Sequence, residues 1–145
     1  MGFRNSHFLA SYARNLFLQF RSGTRILPGT GETITESTAD LTSEDVVLVI
    51  GLRRRLTSLK NEMEALHHRG VPILLITDPS ARVMPAFARW TLTCPVDSPF
   101  LFDSYSGVLS VLRILTYKSF QKSGKQGRTY MEAIEARHAE TGAFE

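Results

Sequence analysis

Cysteine is nearly absent from this chain: Cys94 is the one thiol in 145 residues. A lone cysteine rules out an internal disulfide, argues against a multi-cysteine metal site and fits a cytoplasmic home. Histidine is scarce too, with four in all, and none stands at metal-binding spacing. His67 and His68 are adjacent, so on a helix they point to different sides and cannot chelate as an i, i+4 pair does. Long apolar runs are missing; none approaches the ~18 residues of a membrane span. Internal repeats, low-complexity segments and convincing linkers are lacking as well. With 43% hydrophobic and 21% charged residues, what remains is one ordinary globular domain, not a disordered chain.

Charge of one sign is not concentrated either. The net charge is +3 and the pI about 9.3, yet the basic residues are spread out except at Arg53–Arg55. A nucleic-acid reader gathers such charge on one helix or stripe with aromatics interleaved, so direct DNA binding by these residues is disfavoured. The opening "MGFRNS" fits the N-myristoylation pattern, but Gly2–Ser6 has a better use as a strand-to-helix turn.

What the chain does have is a legible centre, Ser43–Asp78. An apolar run (Val46–Ile50) ends at Gly51, and Arg53, Arg54 and Arg55 follow at once. A helix-period segment closed by Arg69-Gly70 leads to a second apolar run, Val71–Ile76. Two short aliphatic runs around a helix of this length read as a βαβ unit of parallel strands buried on both faces. Ligands of such sheets bind beyond the carboxyl ends of the strands, where the next helix also points its free N–H groups. The arginines stand at that spot.

The rest follows the same rhythm. Asn5 or Ser6 is placed to cap a helix over Ser6–Arg21, whose Phe8, Leu9, Tyr12, Ala13, Leu16, Phe17 and Phe20 recur at helical spacing. Thr24–Leu27 reads as a short strand, Pro28–Thr33 as a loop and Ile34–Leu41 as a short helix. A short helix around Val83–Ala88 and a last strand over Trp90–Cys94 come next. Asp103 or Ser104 then caps a long helix to about Lys122. Gly124–Gly127 breaks it before a final polar helix from Arg128 to about Glu140. The order is α/β with one oddity: Gly2–Ser6 is shaped like the turn after a first strand, and only Met1 precedes it. That strand is expected from upstream residues or from elsewhere.

These residues resemble a known pattern, the sugar isomerase (SIS) effector domain of RpiR-family bacterial transcriptional regulators. "GFRNS" stands where SIS domains have a Gly-x-x-x-Ser turn, so Ser6 matches the first ligand-binding serine. "EDVVLVIG" resembles the third strand, "ALHHRGVPILLITD" the following helix and fourth strand, "FDSYSGVLSVLRIL" the long helix after the fifth strand. "GRTYMEAIEARHAETGAFE" resembles the C-terminal helix, placed at 125–145. The resemblance implies a single domain over 1–145 with a three-layer α/β/α sandwich and a parallel sheet of flavodoxin-like order, lacking its first strand. It implies a carbohydrate-derivative-binding effector domain, not an enzyme, that modulates an N-terminal helix-turn-helix domain these residues do not include. The family's Ser-x-Ser-Gly-x-Thr phosphate loop is replaced here: Gly51, Arg53, Arg54 and Leu56 occupy its Ser, Ser, Gly and Thr positions.

The candidate ligand-binding residues are Asn5, Ser6, Arg53, Arg54, Arg55 and Ser104. Guanidinium forks suit phosphate or carboxylate, so a small anionic effector such as a sugar phosphate or sugar acid is expected, with no cofactor and no metal. The plainer reading pairs one arginine with Glu32 or Glu36 and leaves the others solvated; a third has an arginine plug the old phosphate pocket. The alternative function, an SIS-type sugar-phosphate isomerase or other sugar-processing enzyme, needs a base at the reacting carbons, for which Glu32, Glu36 and His7 are the candidates. The long helix carries apolar residues on more than one face (Tyr105, Val108, Leu109, Val111, Leu112, Ile114, Leu115, Phe120), which points to a homodimer or higher homo-oligomer, the plainer alternative being burial beneath the C-terminal helix.

Overall fold

The computed structural model describes residues 1–144. Its sheet has three parallel strands in the order β1-β2-β3: β1 over Val47–Gly51, β2 over Ile73–Thr77 and β3 over Trp90–Thr93. Val47 aligns with Ile73 and Gly51 with Thr77, while Leu74 aligns with Trp90. Helices α1 (Asn5–Leu18), α2 (Ile34–Thr38), α3 (Thr57–His68) and α4 (Ser106–Thr141) surround it, with a 3-10 turn at Met84–Phe87.

The expected α/β/α layering holds, and side-chain alternation along the strands produces it. Val47, Val49, Ile73 and Leu75 face the layer of α3, packing with Leu59, Met63 and Leu66. Ile50 and Ile76 face the other layer, packing with Leu9, Ala10 and Ala13 of α1 and Val108 and Leu112 of α4. Because β1 and β2 are covered on both sides, every position but one in each is buried, which is why they read as continuous apolar runs. β3 is the exposed edge.

Beside β1, on the side away from β2, lies the start of the chain. The Ile50 N–H donates to the Met1 carbonyl at 2.9 Å, and Gly2 bridges Ile50 in parallel sense. The place expected for a first strand thus holds the Met1–Gly2 backbone. Gly2 then lets the chain turn into α1: a Cβ there would stand 2.5 Å from the Ser6 carbonyl oxygen.

Four expectations need correction. Thr24–Leu27 is not a strand; Arg25 instead pairs with Asp40 at 2.5 Å and Leu27 buries in the core without joining a ladder. Neither Asn5 nor Ser6 caps α1: the N-cap is Arg4, with no side-chain hydrogen bond. Neither Asp103 nor Ser104 caps α4, whose N-cap is Tyr105, likewise without a side-chain bond. The break in α4 is Gly124 alone, at φ 59 and ψ −131, after which the helix resumes at once. Short α2 is better secured. Thr33 and Glu36 form a capping box, and Arg69 from the end of α3 donates to the carbonyls of Thr38, Ala39 and Leu41.

Candidate functional site

A cleft of about 400 Å³ opens at the carboxyl end of β1. Its floor is Gly51–Leu56, one side is the turn Phe3–Ser6 into α1, and the other is Leu101–Asp103 with Tyr105 before α4. Sequence far apart is gathered here by the topology: the end of β1, the start of α1 and the start of α4 meet at one sheet edge.

The three arginines have three different fates. Arg53 is engaged with carboxylates of the 97–103 loop, its Nη1 2.6 Å from Asp97 and its Nε 3.2 Å from Asp103. Arg55 is turned inward: it donates to Asp78 at the end of β2, to the Ser80 hydroxyl at 2.7 Å and to the Gly51 carbonyl at 3.4 Å. Burial would raise the Asp78 carboxyl; hydrogen bonds from Ser80, then Arg55, outweigh it and hold the pKa below its usual value. Arg54 has no carboxylate partner among the described residues and is exposed. Glu32 and Glu36, the sequence-level partners for these arginines, are not involved.

Arg53 is thus paired though half exposed and Arg55 is held inward, which leaves Arg54 as a cation on the cleft without a carboxylate partner among the described residues. Sequence reasoning missed a second one. Arg4, exposed and without a carboxylate partner among the described residues, lines the same cleft. Arg4 and Arg54 are also, among the described residues, the two non-glycine residues at positive φ, 55° and 60°. A bulky side chain pays for that conformation, and such outliers gather at functional sites. The signal for Arg4 was its place inside the Gly-x-x-x-Ser turn.

Of the remaining candidates, Asn5 and Ser6 line the cleft and Ser104 does not. Asn5 Nδ2 donates to the Tyr105 hydroxyl at 3.1 Å, tying the α1 turn to the start of α4. Ser6 is buried in the first turn of α1. Ser104 is exposed and its hydroxyl meets that of Ser106 at 2.7 Å. The candidate bases stand apart as well. Glu32 and Glu36 line a second cleft between α1 and α2 with Arg14, Arg25 and Asp40, and His7 lines neither. Hydrogen bonds from the Thr33 hydroxyl and backbone lower the Glu36 pKa, the state of a helix cap and the opposite of a poised base. Among the described residues no group of three or more His, Cys, Asp or Glu is placed to hold a metal ion, and no helix is long and apolar enough to cross a membrane.

Comparison with known proteins bears on the fold. The crystal structure of the sugar isomerase domain of an RpiR transcription factor from Sphaerobacter thermophilus superposes with a TM-score of 0.82 at 19% identity, covering 93% of this chain and 75% of that one. A crystal structure of a hypothetical protein gives 0.67 at 16% identity, covering 92% and 73%. At such identities the likeness is one of fold. No protein of curated function is similar enough in sequence to count as a relative. The family pattern is decisive where these are not: residues 1–117 match the SIS domain, from the Met1–Gly2 pairing through the first three turns of α4, so the chain belongs to the SIS domain family.

Proposed function

We propose that this SIS domain senses a small anionic effector for a transcriptional regulator of the RpiR type and does not catalyse a reaction. The observation that carries the reading is the pair Arg4 and Arg54, two arginines on one cleft at the carboxyl end of β1 without carboxylate partners among the described residues. An arginine fork offers parallel N–H donors to phosphate or carboxylate, so two of them on one cleft favour an anion over a neutral ligand. The fold likeness to the domain of an RpiR transcription factor supports a regulatory setting. DNA binding then belongs to a helix-turn-helix domain outside these residues, and the effector acts by favouring one conformation or assembly of the sensor.

Catalysis is the poorer reading for a chemical reason. Sugar isomerisation needs a base near the reacting carbons, and the one carboxylate lining the cleft, Asp103, is already paired with Arg53. A thermal-shift screen over phosphosugars, sugar acids and related anions, followed by a turnover assay on each hit, tests the proposal. Stabilisation without turnover is expected. Turnover of a phosphosugar would establish the isomerase instead.

A further inference from the structure

The wall opposite the α1 turn is apolar and exposed. Leu101 and Phe102 both line the cleft, yet they are 88% and 78% solvent-accessible, and neighbouring Phe100 is 82%. A single protein chain rarely holds three consecutive large apolar side chains in water without a use. Nor does this loop hang free. Asp97 and Asp103 at its two ends both bond the Arg53 guanidinium, which itself lines the cleft, so one side chain pins the loop at both ends beside the anion site. Leu56 and Tyr105 extend the apolar surface across the opening.

Groups able to recognise hydroxyls are few by contrast. The Asn5 amide gives one N–H to the Tyr105 hydroxyl, and Ser6 is buried in the helix turn. A sugar body lying against Leu101 and Phe102 would turn hydroxyls toward side chains that offer them no partner once water is displaced, which is costly. We infer that the ligand is an amphiphilic anion: a phosphate or carboxylate head held by Arg4 and Arg54, joined to an aromatic or aliphatic body that covers Leu101 and Phe102. This inference rests on the reading of the cleft as an anion site and narrows it. The head supplies charge-assisted hydrogen bonds, and the body removes apolar surface of both partners from water.

The test is calorimetric titration of the whole chain with three probes sharing one head: inorganic phosphate, a hexose phosphate and naphthyl phosphate. Naphthyl phosphate should bind at least about tenfold more tightly than the hexose phosphate, the scale of burying one aromatic ring. Changing Leu101→Ser and Phe102→Ser together, both exposed positions, should remove that advantage, so that naphthyl phosphate binds no more tightly than the hexose phosphate. Arg54→Gln should weaken all three. If the hexose phosphate binds as tightly as naphthyl phosphate or more so, the amphiphile inference is overturned while the anion site stands. If none of the three binds, or if Arg4→Gln and Arg54→Gln leave binding intact, the anion site itself is wrong and the inference goes with it.

Discussion

Arg55, in the loop after β1, donates a hydrogen bond to the carboxylate of Asp78, just past β2, so one ion pair links the chain leaving these two neighbouring strands where the cleft begins. The pair is mostly enclosed, with side-chain exposures of 18% and 4%. Its role is to hold the floor of the cleft, and this separates Arg55 from Arg54 although they are neighbours in sequence.

Stability should therefore depend on Asp78 in acid. The Asp78 pKa in the folded protein lies below that of the unfolded chain, about 3.9. The group's contribution is then complete above about pH 5 and is lost as pH falls through the depressed folded value. Replacing Asp78→Asn should lower stability at neutral pH by about 2 kcal/mol and flatten the acid limb of a stability-against-pH curve. Denaturant melts between neutral and acid pH check both; an unchanged acid limb would remove the pair from the account.

Gly2 should be intolerant of a side chain. A Cβ there meets backbone of Ser6, whereas one at Gly51 meets the mobile methyl end of Met84 at 2.7 Å. Gly2→Ala should cost about 1–3 kcal/mol and Gly51→Ala less, because only the second neighbour can move aside. Thermal melts of the two variants give the ranking.

These two sites show what the sequence made legible. β1 and β2 could be read because strands buried on both faces leave unbroken aliphatic runs, and the Gly-x-x-x-Ser turn could be read because a close approach demands glycine. Thr24–Leu27 misled because burial of Ile26 and Leu27 looks the same in sequence whether or not a neighbouring strand accepts the backbone. The arginines were legible by position and not by partner. Arg53 reaches 44 residues along the chain to Asp97 and Arg55 reaches 23 to Asp78, distances over which spacing carries no information. Arg4 went unread because an arginine inside a turn does not announce the positive φ at which it stands.

The 97–103 loop should be held by Arg53. Arg53→Gln removes the bonds to Asp97 and Asp103 and should free a segment that carries Phe100, Leu101 and Phe102. Limited chymotrypsin digestion should then cut this loop several-fold faster than in the wild type, since cleavage follows local opening. Equal rates would mean that the loop is fixed by other contacts.

We propose that α4 carries the surface of a homodimer. Val108 and Leu112 bury against α1 and the sheet, leaving Ile114 and Tyr117 about 60% exposed on another face. Light scattering should give a dimer for the wild type and a monomer for Ile114→Asp with the fold intact by circular dichroism, because a buried unpaired carboxylate opposes association. A monomeric wild type would exclude this role for the helix.

The most direct measurement is a nitrogen-proton NMR titration of the chain with inorganic phosphate at low and high salt. Saturable shifts are expected, confined to Arg4–Ser6 and Gly51–Leu56, weaker at high salt because the cations are exposed, and abolished by Arg54→Gln but retained in Arg14→Gln. Shifts that never saturate, or that centre on Arg14 and Arg25 in the second cleft, would contradict an anion site at the end of β1.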